Sequence, residues 1–221
     1  MINLEVLQAI NLATRIYDGI KREGSDLPYI THSFSVFLIV KDHSDDVSTQ
    51  VAALFHDFFK KEIPKPDAKD PGQIYDYTDL VLMIGISAAR LVDEISHYRD
   101  SQNGALLDWR SSKYEALGDF HRLSPPAKII FAANQVHNLF SLVEDYKHKK
   151  MRIWEIFGVS EELMATYYRD IMQTLVTHFH HPLIQRYYDI FREACQLFAW
   201  EEIYKQGTAE LVWAESLRTE P

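Results

Sequence analysis

The chain has 221 residues, 47% of them apolar and 25% charged, and carries a formal net charge of −9. That length and balance suit a globular domain with a sizeable core, and the acidic surplus argues against a general binder of nucleic-acid polymers, whose phosphates need a basic surface. Cys195 is the sole cysteine, so no internal disulfide forms, and its apolar setting, "REACQLF", predicts a buried thiol rather than a nucleophile.

Helical periodicity runs through the chain. Over 4–20, Leu4, Leu7, Ile10, Ala13, Ile16, Tyr17 and Ile20 recur at three- and four-residue intervals and predict a first helix. The opening "MINLEVLQAI" lacks the basic segment and small-residue cleavage site of a signal peptide. Apolar runs such as "VFLIV" and "LVLMIGISAA" fall far short of the ~20 residues that span a bilayer, so the chain is expected in the cytoplasm, without a membrane partner. Gly24 and Pro28 mark a turn in "REGSDLP". A second helix is expected from near Thr31 through "SFSVFLIVKDH". A third, capped by "SDD" (44–46), carries Val47, Val51, Leu54, Phe55 and Phe58 on one face.

"EIPKPDAKDPGQ" (62–73) reads as a loop that follows the third helix directly and can wall a site. Residues 77–98 predict one long amphipathic helix, and "RDSQNG" separates it from a helical "DWRSSKYEAL". "LSPPAK" (123–128) starts the next helix, with a proline in its first turn. The basic cluster "YKHKKMR" (146–152) reads as a solvated helix end. Residues 160–206 give two more helices divided by "HFHHP", whose histidines sit at a helix break where side chains are simply solvated. No strand pattern or repeat is found. The expectation is all-α: a single domain of roughly eight or more helices over 1–221, with 199–221 as a C-terminal appendage. "WEEIYKQGTAELVWAESL" (200–217), rich in large apolar groups, is expected to dock on the core or on a second subunit in a homodimer.

His32 and the pair His56–Asp57, in "LFHDFFKKE" (54–62), lie in otherwise apolar helical runs, where a polar group needs a partner. One ion bound by imidazole and carboxylate would satisfy them, and such a set suits zinc, manganese or iron. On an α-helical wheel Lys60 projects about 40° from His56 and about 60° from Asp57, between the two supposed ligands. The alternative is an ordinary i,i+4 pair of Asp57 with Lys61 on a wet face, worth only about 0.2–0.5 kcal/mol. Both readings stand at this point.

Four segments in order resemble the HD superfamily of metal-dependent phosphohydrolases, and most closely the hydrolase domain of the RelA/SpoT alarmone enzymes. They are "GIKREGSDLPYITH" (19–32), "AALFHD" (52–57), "IGISAARLVDEIS" (84–96) and "AKIIFAANQVHNL" (127–139), and they cover roughly residues 5–140. The resemblance implies an HD-type helical domain that hydrolyses a phosphoester or pyrophosphate in a nucleotide, with a divalent ion as cofactor. Manganese is the first expectation, with iron, zinc and magnesium as alternatives. It assigns His32, His56 and Asp57 as ligands, and Asn134 stands where the family has a fourth-ligand aspartate. The basic pair Lys21 and Arg22 would serve the substrate, Arg22 near the base, and Asn138 would lie near the sugar.

The chain departs from that pattern. Asn134 brings no charge to the ion, and Phe131 replaces a family lysine. Lys60 and Lys61 occupy the catalytic Glu-Asp positions that help orient water in the alarmone hydrolases. A second HD branch, resembling the cyclic-dinucleotide phosphodiesterases, carries "HD-x-G-K", and there the position of Lys60 contacts substrate phosphate, a role that suits a compact ammonium. A protonated lysine cannot act as a general base, so an acid of the 62–75 loop, Asp67 or Asp70, is a candidate helper. The expectation is therefore a metal-dependent phosphohydrolase acting on a nucleotide or small phosphoester. Its alternatives are a catalytically degenerate HD protein that binds a nucleotide or protein partner, and a helical scaffold whose histidines are core groups.

Overall fold

The computed structural model describes residues 3–22, 24–61, 63–65, 72–96, 109–149 and 152–200. Asp67, Asp70 and everything after Trp200 lie outside the described residues. No strand occurs among the described residues; two isolated bridges, Lys21 with Pro28 and Pro64 with Ile74, are the only β-type pairings there. The helices are α1 (Leu4–Ile16), α2 (Ile30–Lys41), α3 (Val47–Leu54), α4 (Tyr77–Ile84), α5 (Ile86–Ser96), α6 (Trp109–Gly118), α7 (Pro125–Lys149), α8 (Arg152–Phe157), α9 (Glu161–His178) and α10 (Leu183–Leu197). The all-α expectation holds. No described helix is long and apolar enough to cross a membrane.

The contacts fall into two compact units, residues 1–112 with 122–131, and residues 113–121 with 132–221. In the first, α3 packs against α1, α2 and α5, and α4 against α5. Burial of every residue of α3 from Thr49 to Leu54 follows from that central place. The predicted cap works as expected: Asp46 accepts from the Thr49 amide at 2.7 Å, a contact worth about 1 kcal/mol. Ser124, ahead of Pro125, donates its amide and hydroxyl to the two oxygens of Glu94, which ties the start of α7 to α5.

In the second unit, α9 and α10 pack together, and the Tyr187 hydroxyl donates to the Tyr168 carbonyl at 2.9 Å. Tyr146, Trp154, Phe198 and Trp200 form an aromatic cluster, and the Trp200 indole donates to Glu161 at 3.1 Å. Trp200, the first residue of the expected docking tail, is thus buried. Burial also pushes the Cys195 thiol up to about 12, as its apolar setting implied. His181 is not simply solvated as expected: it stacks on Phe179 at 4.7 Å and accepts from the Leu183 amide at the start of α10.

The helices depart from the periodicity in several places. The first helix stops at Ile16, because Tyr17 leaves helical geometry and Gly19 turns the chain at φ 73°. The helix expected over 77–98 is two, since Gly85 adopts φ 80° and ψ 157° between α4 and α5. The short α8 follows the basic stretch and was not anticipated; six residues give too little periodicity to detect. A Cβ on Gly85 would meet no atom within 4 Å, so the cost of adding one is conformational. Gly85→Ala is expected to lower the unfolding free energy by about 1–3 kcal/mol, measured by urea denaturation.

Candidate metal centre

Two local events build the site. After Leu54 the chain abandons the α-helix: Phe55 is the cap residue, and residues 58–61 form one turn of 3-10 helix. Phe55 and Phe58 are both buried, and the Phe58 amide bonds the Phe55 carbonyl at 2.8 Å. Burying two such rings, worth about 1.5–3 kcal/mol each, holds the tight turn in place. Upstream, the amides of Arg22 and Tyr29 bond the carbonyls of Leu27 and Ile20 at 2.9 and 2.8 Å and pinch residues 20–29 closed. This delivers Tyr29 and His32 to the same point at the start of α2.

His32 Nε2 and His56 Nε2 stand 3.0 Å apart, and the ligand atoms of His32, His56 and Asp57 all lie within 4.8 Å of one another. Among the described residues this is the only such cluster of three or more His, Cys, Asp or Glu side chains. His56 Nδ1 lies 2.8 Å from the Ala53 carbonyl, which can only accept, so Nδ1 carries the proton and Nε2 keeps its lone pair. Burial lowers the His56 pKa, with Lys60 and Arg22 adding to that effect against the pull of Asp57, and the ring stays neutral. The donor set fits a divalent ion. Two nitrogens bound at about 2.1 Å on neighbouring octahedral positions stand about 3 Å apart, and a backbone-oriented imidazole is a usual support for a ligand.

Asp57 is 14% exposed. Its Oδ2 accepts from the Tyr29 hydroxyl at 2.8 Å, and the Lys60 ammonium sits against Oδ1. Burial pushes this carboxyl up, but neighbouring positive charge, Lys60 foremost, holds the pKa well below the usual carboxylate range. The stabilisation from this ion pair is therefore present above the ordinary carboxylate pKa and is lost as pH falls through the depressed value.

The wheel position expected for Lys60 is corrected here. In a 3-10 turn residues i and i+3 eclipse, and the Lys60 amide bonds the Asp57 carbonyl at 3.0 Å. Lys60 consequently lies directly over Asp57 instead of between His56 and Asp57. The i,i+4 partner considered for Asp57, Lys61, instead lies over the Tyr29 ring, 4.2 Å from its centroid.

The other sequence candidates fall as follows. Lys21 pairs with Asp26 at 3.0 Å on an open turn, with side chains 67% and 100% exposed. Arg22 closes the turn through its amide, and its charge is only a minor influence on the Tyr29 hydroxyl and the His56 ring. Asn134 and Asn138, one turn apart on α7 in the second unit, bond each other, Asn138 Nδ2 donating to Asn134 Oδ1 at 3.0 Å. Phe131 is buried. Tyr29 was missed as a site residue, although it stands three positions before His32 inside "PYITH". Tyr17, read only as part of the first helix's periodicity, packs its ring edge-on against Tyr29 at 4.9 Å, and its buried hydroxyl has no hydrogen-bond partner among the described residues.

The architecture has an HD-type fold, similar to that of two solved structures. A solved metazoan ortholog of SpoT, which hydrolyses ppGpp and plays a role in starvation responses, aligns with 88% of this chain and 97% of its own at 20% identity and a TM-score of 0.64. A protein from Listeria monocytogenes EGD-e aligns over 75% of this chain and 99% of its own, at 18% identity and a TM-score of 0.58. No family model and no curated protein sequence matches the chain.

Tyr29→Phe keeps the ring contacts but removes the donor to a mostly buried carboxylate. It is expected to cost about 1–3 kcal/mol of unfolding free energy in chelator-treated protein, measured by urea denaturation.

Proposed function

We propose that the chain is a divalent-metal-dependent phosphohydrolase acting on a nucleotide or small phosphoester. The observation that carries this reading is the convergence of His32, His56 and Asp57, with His56 held neutral and its Nε2 lone pair directed at the cluster. His32, His56 and Asp57 would hold the ion, manganese first among the candidates. Once bound, it would acidify a water and polarise the phosphoryl oxygens.

The protein's own groups would do the rest. The Ala53 carbonyl and the Tyr29 hydroxyl fix the orientation of two ligands. Lys60 supplies a positive point for the substrate phosphate, and Arg22 near the base enters through the sequence resemblance. Asn134 as fourth ligand and Asn138 near the sugar enter through the sequence resemblance alone, as does Lys21 in substrate binding.

A second reading, a nucleotide binder without catalysis, is favoured by one observation: a lysine already neutralises Asp57, so the cluster is electrostatically satisfied without an ion. The two readings separate in a single experiment. Protein purified without chelator is assayed for bound metal and for phosphate release from nucleoside di- and triphosphates, alongside Asp57→Ala. The enzyme reading expects stoichiometric metal and turnover in the parent, with turnover in the variant lower by at least the ~100-fold that outer-shell changes cause at metal sites. No divalent ion bound at millimolar manganese would sink it. Asn134→Asp is expected to tighten manganese binding several-fold by adding a charged ligand, measured by calorimetric titration; no change would remove Asn134 from the ligand set.

A further inference from the structure

We propose that Lys60 is an internal cation that competes with the divalent ion for Asp57, and that a substrate phosphate relieves this competition by drawing Lys60 off the carboxylate. Ion and substrate would then load together. The inference rests on the metal reading of His32, His56 and Asp57 and adds to it the regulation of that site.

Asp57 Oδ2 accepts from the Tyr29 hydroxyl, and Oδ1 is ion-paired with the Lys60 ammonium. An ion bound through Oδ1 would displace the Lys60 ammonium, and one bound through Oδ2, which lies 3.6 Å from His56 Nε2, would share the carboxylate's charge with that ammonium. Tyr29 is 2% exposed and its ring is wedged against Tyr17 and His32, at 4.9 and 5.5 Å. Lys60 is 24% exposed and reaches Asp57 on a flexible four-carbon stem. Lys60 is the group that can leave.

Leaving has a cost that depends on what else is bound. A lysine pushed aside by a divalent ion remains a few ångströms from a charge of its own sign, in a setting where such repulsion is weakly screened. The Tyr29 ring does not offer it a refuge, because the Lys61 ammonium already lies over that face at 4.2 Å. A phosphate dianion beside the ion gives Lys60 a new partner and cancels the repulsion. Binding free energies are reciprocal, so an anion that frees Asp57 for the ion is itself bound more tightly when the ion is present. A site that carries Lys60 at this position thus has low metal affinity at rest and a higher one with a phosphorylated ligand.

The test measures manganese affinity by the electron paramagnetic resonance signal of the free aquo ion. Parent, Lys60→Gln and Lys60→Arg proteins are titrated with and without adenosine 5′-monophosphate, against protein-free controls. Without nucleotide, Lys60→Gln is expected to bind manganese about five- to tenfold more tightly than the parent, while Lys60→Arg, which keeps the cation, stays near the parent. With nucleotide, the gap between parent and Lys60→Gln narrows. Thermal unfolding of each protein establishes that it is folded, and the effect of nucleotide on the parent needs no variant. Equal affinities for parent and Lys60→Gln, or a gap that nucleotide leaves unchanged, would overturn the competition while the metal reading stands. Absence of manganese binding in all three proteins would overturn both.

Discussion

A carboxylate almost out of water is the constraint around which the first unit of this protein is arranged. An ionised Asp57 at 14% exposure needs positive or donating partners on both oxygens. Tyr29 and Lys60 provide them, with the two imidazoles alongside. Each partner depends on a separate piece of backbone: Tyr29 on the pinch at 20–29, His56 on the end of α3, Lys60 on the 3-10 turn. The local structure around the site is best understood as the set of bends that brings these groups to one carboxylate.

Lys60 and Lys61 follow the His-Asp pair where the sequence resemblance leads one to expect two acids. In a site meant to bind a cation, added positive charge works against the ion and in favour of anions. The geometry divides the two lysines between different tasks. Lys60 neutralises a prospective ligand, whereas Lys61 covers the ring of the tyrosine that holds that ligand's other oxygen. Both bring positive charge close to the cluster of His32, His56 and Asp57.

Much of this was legible along the chain. Asp46 as a cap, proline at the first position of α7 and the helix break at "HFHHP" follow from short-range chemistry, and the structure has them as expected. The HD-type fold was legible too, from four segments in order, none of them sufficient alone. Less legible were the places where one residue overrides a periodic pattern. Gly85 sits within an unbroken apolar rhythm, and only its backbone angles reveal that two helices meet there. The end of α3 was hidden in the same way, because Phe55 and Phe58 fit a helical face as well as they fit a 3-10 turn.

The sequence by itself determined the helical class and the identities of the groups that meet, since His32, His56 and Asp57 are polar residues in apolar runs and must be partnered wherever they fold. Tertiary structure decided who partners whom. A change from 3.6 to 3 residues per turn moved Lys60 from between the two residues to a position over Asp57. The closed turn at 20–29 brought a tyrosine hydroxyl, 28 positions away in the chain, onto the same carboxylate. Both outcomes depend on where the aromatic rings of the core can be buried, a property of the assembled unit that no single segment carries.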